Sequence, residues 1–419
     1  MPAKKFDLIV FGASSFVGEI LTRYLAETYG LDGELSWAIA GRSERKLQKV
    51  RGTLAPILGD KAKDVEYLIA DAADEEALKE LTARTKVIVS TVGPYALYGE
   101  PLVKVCAENG TDYCDLTGEA QWIRRMLEKY EAKAQESGAR IVHCCGFDSV
   151  PSDMGVYFLQ QQAEQEFGAM APRIKMRVKA AKGGMSGGTV ASIINLTKEA
   201  VANPGLRKEL ANPFSICPPG TGFTARQPNV TSSVMDKDFK SWATPFIMAA
   251  INTRVVHRTN ALREKAYGEE FVYDEAMLTG KGIKGRMMAM AVVGGLGAFM
   301  VGAVIKPTRW LLESYVLPKP GEGPSPTEQK NGFYDIRFKG FLKDGRTIIT
   351  KVTGDRDPGY GSTAKVLGQA AASLALDFHT GTRKKGKKGG FWTPASIFDD
   401  RYIQRLRDHA GVEFEVLEK

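Results

Sequence analysis

Residues 6–18, FDLIVFGASSFVG, constrain the fold of this chain more than any other segment. The apolar run 8–11 has the length of a buried parallel strand, it ends at Gly12, and a helical pattern begins near Val17. A strand, a glycine-bearing turn and a helix in this order are typical of the phosphate-binding unit of a dinucleotide fold, because small residues let backbone N–H groups approach a pyrophosphate. Gly12 and Gly18 fit the outer positions of a G-x-x-G-x-x-G spacing, and Ser15 stands where the middle glycine would be. The segment therefore predicts a nucleotide site, with an ordinary strand–turn–helix as the alternative.

The second strand-like run, 35–40, predicts which dinucleotide is bound. It ends in Gly41, Arg42 and Ser43. NAD sites usually place a carboxylate here for the ribose hydroxyls, whereas an arginine and a hydroxyl suit the additional 2′-phosphate of NADP. We therefore expect NADP(H) as the cofactor, with a solvated loop arginine as the alternative for Arg42.

The first 150 residues alternate between strand and helix patterns. The predicted strands are 8–11, 35–40, 65–70, 87–91, 113–116 and 141–146, with helices between them that include 74–83, 101–109 and 121–137. This alternation predicts an α/β fold, a Rossmann-type doubly wound parallel sheet over residues 1–150.

Ligands on such sheets bind beyond the carboxyl ends of the strands. The predicted cofactor-binding residues all lie there: Gly12, Ala13, Ser14, Ser15, Phe16, Val17, Gly41, Arg42, Ser43, Asp71, Thr91, Val92, Gly93 and Pro94. The residue pattern identifies no proton donor, and the candidates are Tyr95 and Tyr98 after the fourth strand and Asp148 after the sixth. The alternative for both tyrosines is packing at a domain interface.

After Pro151 the pattern changes, which predicts a second domain over 151–354 and a C-terminal segment over 355–419. The clearest elements of the second domain are a strand at 174–181, a hairpin formed by 334–342 and 347–353, and a Pro/Gly-rich linker at 317–326. Helices are predicted at 245–262, 362–376 and 399–409, and a short strand at 413–417.

Residues 287–305 form a run of 19 residues without a charged or polar side chain, bounded by Arg286 and Lys306. As a helix the run would be about 28 Å long, just enough to cross a bilayer core. Four glycines interrupt it. The alternatives are a monotopic or re-entrant membrane contact, a buried core or oligomer-interface helix such as that of a homodimer, and a true span.

Composition excludes several classes of protein. The net charge of +8 is partly local, since residues 383–388 hold five positive charges in a Gly-rich loop with few aromatic neighbours, so we expect no nucleic-acid binding. The five cysteines have no metal-ligand spacing, and no metal is expected. The N-terminus leads directly into a strand, which favours a reducing cytoplasmic location.

Six segments together resemble the saccharopine dehydrogenase-like oxidoreductases, most closely the branch that includes the trans-acting enoyl reductases of polyketide-derived lipid synthesis. The segments are 12–18, AGRS at 40–43, TVGPY at 91–95, GTDYCDLTGE at 110–119, CGFDSVPSD at 145–153 and DPGYG at 357–361. The resemblance implies a Rossmann-type NADP domain, a second α+β domain with a mixed sheet, and a tail that packs back on the first domain. Animal relatives are associated with lipid droplets, which fits peripheral contact of residues 287–305 with a membrane or droplet surface.

This resemblance implies an NADPH-dependent oxidoreductase that reduces a C=C (enoyl) or C=N bond of an apolar, acyl-type substrate. The alternatives are an amino-acid or imino-acid reductase of the saccharopine type and a non-catalytic NADP-binding protein at a membrane or lipid surface. Ser15 departs from the glycine that is commoner at its position.

Overall fold

The computed structural model describes residues 4–183, 187–311, 323–379 and 387–419. The chain divides into two compact units. The first comprises the chain up to Phe147 together with Tyr360–Ala410, and the second comprises Asp148–Gly359 together with Gly411–Lys419. The tail predicted as one segment, 355–419, is therefore shared between the units, because its last strand pairs within the sheet of the second unit.

The strands of the described chain are β1 (Phe6–Phe11), β2 (Trp37–Gly41), β3 (Tyr67–Ile69), β4 (Thr85–Ser90), β5 (Asp112–Asp115), β6 (Arg140–Val142), β7 (Arg173–Lys182), β8 (Val234–Asp236), β9 (Ser241–Thr244), β10 (Val272–Gly280), β11 (Phe333–Phe341), β12 (Thr347–Gly354), β13 (Gly390–Trp392) and β14 (Val412–Glu418). The helices are α1 (Phe16–Tyr29), α2 (Glu44–Gly52), α3 (Ala55–Leu58), α4 (Glu75–Ala83), α5 (Tyr95–Tyr98), α6 (Glu100–Asn109), α7 (Ala120–Ser137), α8 (Val150–Phe167), α9 (Gly187–Ala202), α10 (Pro204–Ala211), α11 (Ala249–Leu262), α12 (Gly282–Val304), α13 (Lys306–Leu311), α14 (Pro326–Lys330), α15 (Thr363–His379), α16 (Pro394–Ile397) and α17 (Asp400–Arg405). Single 3₁₀ and π turns cover Gly59–Asp64, Pro358–Ser362 and Leu406–Ala410.

The first unit contains the predicted doubly wound sheet. Its strand order is β13-β6-β5-β4-β1-β2-β3, and every pairing is parallel. The interior strand β1 buries Leu8, Ile9 and Val10 completely, as expected for a strand covered on both faces. The sequence did not predict β13, a three-residue strand from the tail whose Phe391 is buried against the sheet edge. Helix α15 packs against α1, β4 and β5, so the tail completes one face of this layer structure.

The second unit contains a mixed sheet in the order β14-β12-β11-β7-β10-β9-β8. Strands β7 and β10 pair in parallel and the other pairings are antiparallel. The hairpin β11–β12 is confirmed, whereas β8, β9 and β10 were not predicted. Helix α8 approaches the sheet closely at Gly155, where a Cβ atom would lie 2.4 Å from the Phe338 ring. Part of the predicted linker 317–326 lies outside the described residues, as do residues 184–186 and 380–386.

The apolar run 287–305 falls within α12, which packs against β9, β10 and α9. Gly285, Ala289 and Ala303 are buried on this helix, but only 11% of its most apolar stretch of 18 residues is buried. The alternative of a buried core helix is therefore wrong for the single chain. The helix is long and apolar enough to cross a membrane by length and composition alone.

Candidate functional site

The β1–α1 turn can only be built with glycine at two positions. Gly12 has a φ of 86°, and a Cβ atom there would lie 2.6 Å from the Val92 side chain. A Cβ atom on Gly18 would lie 2.2 Å from the carbonyl oxygen of Gly12. The two glycines thus let the helix start against the turn and let the turn pass close to the end of β4.

Ser15, in place of the middle glycine, is the N-cap of α1. Its hydroxyl accepts the Gly18 N–H at 3.0 Å and lies 2.9 Å from Thr91 Oγ1, which also lies 2.9 Å from the Gly12 carbonyl oxygen. Each hydroxyl has one proton, so Ser15 donates to Thr91 and Thr91 donates to Gly12. The serine therefore ties the turn to β4 while capping the helix.

This cap leaves part of the first turn of α1 open for an anion. In the first turn, the N–H group of Gly18 donates to the Ser15 hydroxyl, and the N–H group of Glu19 donates to the Ser15 carbonyl oxygen. The helix geometry leaves the N–H groups of Phe16 and Val17 without an intrahelical acceptor. A helix N-terminus with free N–H donors favours a phosphate or pyrophosphate group.

A cavity of about 510 Å³ lies at the carboxyl ends of β1, β2 and β4. The structure brings ten predicted cofactor-binding residues together in its lining: Gly12, Ser14, Ser15, Gly41, Arg42, Ser43, Asp71, Thr91, Val92 and Gly93. Four others do not line it: Ala13, Phe16, Val17 and Pro94. The remaining lining residues are Phe11, Lys46, Ala70, Ala72, Ala73, Leu97, Tyr98 and Pro101, most of them small or apolar side chains that carry no recognisable sequence signal.

The β2 end of this cavity is positively charged. Arg42 is exposed and makes no hydrogen bond or ion pair within the described residues, and Lys46 lines the cavity one turn further on. Ser43 is the N-cap of α2 but its hydroxyl makes no capping hydrogen bond, so it is available to a ligand. The nearby carboxylate of Glu44 is engaged by the Tyr67 hydroxyl at 2.8 Å. Two cations and a hydroxyl fit a 2′-phosphate at this position.

The two candidate tyrosines have different environments. Tyr95 is buried, and its hydroxyl donates to the Ser90 carbonyl oxygen at 2.9 Å. Burial, followed by the nearby Asp115 carboxylate, raises its pKa well above the usual range. Tyr98 is half exposed and lines the cavity. The position of Tyr95 argues against its predicted role as proton donor, whereas Tyr98 is placed where a ligand could reach it.

The carboxylates of the segment 110–119 hold loops in place. Glu119 is buried and accepts the backbone N–H groups of Tyr95 and Ala96, both at 2.9 Å, which fixes the start of α5. Asp115 is fully buried and accepts from the Tyr113 hydroxyl at 2.9 Å and lies 2.7 Å from His143 Nδ1. Their positions indicate a structural role at the strand ends.

The third candidate, Asp148, lies in the second unit, just before α8. Burial raises its pKa to about 6. Asp153, in the first turn of that helix, accepts the Thr259 hydroxyl at 2.6 Å and so joins α8 to α11. Within the described residues no group of three or more His, Cys, Asp or Glu side chains converges as metal ligands.

Sequence reasoning missed a buried acid of the second unit, Glu275, which lines a separate cavity together with Tyr273. The available signal was the pair Asp274–Glu275 inside the otherwise apolar and aromatic run 271–277. Carboxylates in the interior of a strand are rarely buried without a partner, so they point to a local function or an ion pair.

Comparisons with known proteins agree with this geometry. The family model described as the saccharopine dehydrogenase NADP binding domain matches residues 8–142. A Mycobacterium tuberculosis protein that carries the name of a candidate trans-acting enoyl reductase is 37% identical over 98% of this chain and 97% of its own. A trans-acting enoyl reductase of Mycobacterium bovis BCG is 34% identical over 96% of each chain. Apo saccharopine dehydrogenase (L-Glu forming) from Saccharomyces cerevisiae shares the fold, with a TM-score of 0.52 at 12% identity over 98% of this chain and 100% of that one.

Proposed function

Because this chain belongs to the saccharopine dehydrogenase-like oxidoreductases, in the branch of the trans-acting enoyl reductases, and is therefore an NADP(H)-dependent enzyme, we propose that it reduces the enoyl C=C bond of an acyl-type, lipid-related substrate. The names of the full-length relatives favour C=C over C=N reduction. An apolar substrate is further supported by the apolar walls of the second unit, described below.

The cavity of the first unit would hold the cofactor. The 12–15 turn and the first turn of α1 would bind the pyrophosphate, and Arg42, Ser43 and Lys46 would bind the 2′-phosphate. Gly93, at the end of β4, would let the backbone approach the nicotinamide ring. When bound, NADPH supplies the hydride. Tyr98 is the candidate proton donor of this cavity, because it is the lining tyrosine and its environment is partly open.

One observation carries the cofactor part of the proposal, namely the unpaired Arg42 at the end of β2 with Lys46 beside it. Calorimetric titration with NADPH and NADH tests it. We expect Arg42→Asp to weaken NADPH binding by about a hundredfold and to leave NADH binding within a few-fold, because a lost charge-assisted contact with a phosphate is worth about 2–3 kcal/mol.

Arg45→Asp is the matched control. Arg45 is exposed on the same helix, α2, but does not line the cavity. The two variants carry the same charge change, so an equal loss of NADPH affinity in both would mean that the net charge of the surface, and not a contact of Arg42, selects the cofactor.

The substrate class is tested by following NADPH oxidation with two panels. One contains enoyl thioesters of increasing chain length, and the other contains 2-oxo acids with amines, which form imines. Turnover of the enoyl panel that improves with chain length is the expected result. Turnover confined to the imine panel would instead assign the enzyme to the saccharopine type of reaction, and binding of NADPH without turnover of either panel would support the non-catalytic alternative.

We also propose that α12 brings the enzyme to a lipid surface on the cytoplasmic side. Met287, Met288 and Met290 are 57–65% exposed on this helix, and the exposed cations Lys284 and Arg286 accompany them. Exposed apolar side chains beside cations suit an anionic membrane or droplet surface.

Flotation with phosphatidylserine-containing liposomes tests this location. Changing the three methionines to serine should abolish flotation, and Leu417→Ser, which removes an exposed apolar side chain from β14, should not. If the triple variant floats like the unmodified protein, the lipid contact is wrong. A dimer in light scattering that becomes a monomer in the triple variant would assign the surface to a second copy of the chain.

A further inference from the structure

The second unit contains a cavity of about 650 Å³ that the cofactor does not account for. One wall is apolar and comes from α12, through Val293, Leu296, Gly297 and Met300. The segment 245–247, Pro-Phe-Ile, forms another apolar part of the lining. This volume and composition are within the range of small-molecule sites, in which apolar walls surround a few placed polar groups.

The polar floor of the cavity consists of Tyr273 and Glu275, which lie two residues apart on β10 and therefore on one face of the sheet. Glu275 accepts the Tyr273 hydroxyl at 2.7 Å and the Asn252 amide at 3.0 Å. It is 3% exposed and has no ion-pair partner in the described chain. Its neighbour Asp274, which faces the other side, is paired with Arg177 at 2.7 Å.

A buried carboxyl that has neither a cation nor a backbone N–H donor favours its protonated form, because burial penalises the charged form. Consistent with this, burial raises the pKa of Glu275 to about 7. The protonated carboxyl has one O–H donor, while its oxygens already accept from Tyr273 and Asn252. Such a donor beside an apolar cavity suits the carbonyl oxygen of a ligand.

Arg254 lines this cavity, and hydrogen bonds to neutral groups hold its guanidinium in place. Arg254 is buried on α11, and its guanidinium donates to Ser215 Oγ at 3.1 Å and to the carbonyl oxygens of Ala250 and Leu210. Two of these neutral acceptors lie in the segment 210–215 and the third lies on α11 itself, so the guanidinium joins that segment to the helix. The cavity thus offers hydrogen bonds and apolar surface and does not present a cluster of free cations to a ligand with several carboxylates.

We propose that this cavity of the second unit binds the acyl group of the substrate, with the hydrocarbon chain against α12 and the carbonyl oxygen at the Glu275 carboxyl. The assignment rests on the proposed enoyl reduction and adds the site of the acyl group to it. The same helix exposes Met287, Met288 and Met290 outside the cavity, so an acyl chain that leaves a lipid surface would meet the cavity wall on that helix.

Two glycines of α12 give a matched test. A Cβ atom on either Gly297 or Gly295 would have no heavy atom within 4 Å, so both positions accept a larger side chain. Gly297 lines the cavity and Gly295 does not. Gly297→Phe should fill the volume next to the α12 wall, while Gly295→Phe makes the same change on the exposed side of the same helix.

The probes are the N-acetylcysteamine thioesters of dodec-2-enoic and but-2-enoic acid, titrated by calorimetry without NADPH. We expect Gly297→Phe to weaken binding of the twelve-carbon probe at least tenfold, about 1.4 kcal/mol, and Gly295→Phe to leave it within twofold. A further variant, Glu275→Leu, should remove the preference for the thioester over the dodecyl thioether, which has no carbonyl. Equal binding of the long probe to both phenylalanine variants would overturn the proposal.

These readouts separate the two proposals. If the long probe binds and Gly297→Phe weakens it, but no enoyl thioester is reduced, the cavity is an acyl site and the proposed reaction is wrong. If enoyl thioesters are reduced and their KM is unchanged in Gly297→Phe, the reaction stands and the cavity assignment is wrong.

Discussion

Glu275 should make the folded chain less stable as the pH rises from 5 to 8. Burial, together with the adjacent Asp274 carboxylate, raises its pKa from 4.5 to about 7. Between these values the folded chain keeps the proton and the unfolded chain has lost it. The folded state therefore binds more protons than the unfolded state, and the free energy of unfolding falls as the pH rises through this window.

The size of the effect follows from the shift. One pKa unit corresponds to about 1.4 kcal/mol, so the raised pKa costs about 1 kcal/mol at pH 5 and about 3 kcal/mol at pH 8. Glu275→Gln keeps the size and the hydrogen-bonding capacity of the side chain but cannot ionise. The stability of this variant relative to the unmodified protein should therefore grow by about 2 kcal/mol between pH 5 and pH 8, whatever constant amount the substitution itself costs.

Urea unfolding of both proteins across this range measures the difference, and groups common to both, such as Asp148, cancel. Glu270→Gln is the control, because Glu270 is exposed just before the same strand, and its difference should stay flat with pH. A stability difference for Glu275→Gln that stays flat or shrinks as the pH rises would refute the assignment of a protonated buried carboxyl.

Three further predictions concern the first unit. Ser15→Ala should lower the unfolding free energy by about 1 kcal/mol, measured by urea denaturation, because it removes the cap of α1; no change would contradict the capping network. Gly12→Ala should weaken NADPH binding at least tenfold in calorimetry, since its φ is 86° and its Cβ would clash with Val92; unchanged affinity would contradict the turn geometry. Tyr98→Phe should lower kcat by about a hundredfold, as for loss of a general acid, with Tyr95→Phe within a few-fold; equal losses would remove the distinction between the two tyrosines.

The sheet of the first unit could be predicted because its interior strands are short, continuous apolar runs, such as 8–11, whose length and flanking turn residues favour a strand covered on both faces. The end of β2 carries an equally local signal, since one side chain, Arg42, predicts NADP rather than NAD. The short strand β13 could not be predicted from its three residues, because what makes it a strand is pairing with β6, about 250 residues earlier in the chain. The residues of a short strand do not indicate which distant strand it pairs with.

The role of Ser15 illustrates the same limit within the site. Its sequence position marks it as a departure from the glycine pattern, but its partner Thr91 lies 76 residues away. The two tyrosines of α5 are only three residues apart, and the sequence cannot tell which one faces the cavity. Their environments differ because Glu119 fixes the start of α5 and turns Tyr95 into the core.

Three buried acids, Asp115 and Glu119 of the first unit and Glu275 of the second, are satisfied in different ways, and this difference indicates different roles. Asp115 and Glu119 accept several hydrogen bonds from backbone N–H groups and side-chain donors. These hydrogen bonds stabilise each carboxyl group without a ligand and fix the loop that donates them. Glu275 receives two donors from neutral side chains and borders an open volume. A carboxyl of this kind is costly to keep unless its proton meets an acceptor, because a buried polar group without a partner destabilises the fold. Of these three acids, Glu275 is therefore the one whose surroundings call for a ligand.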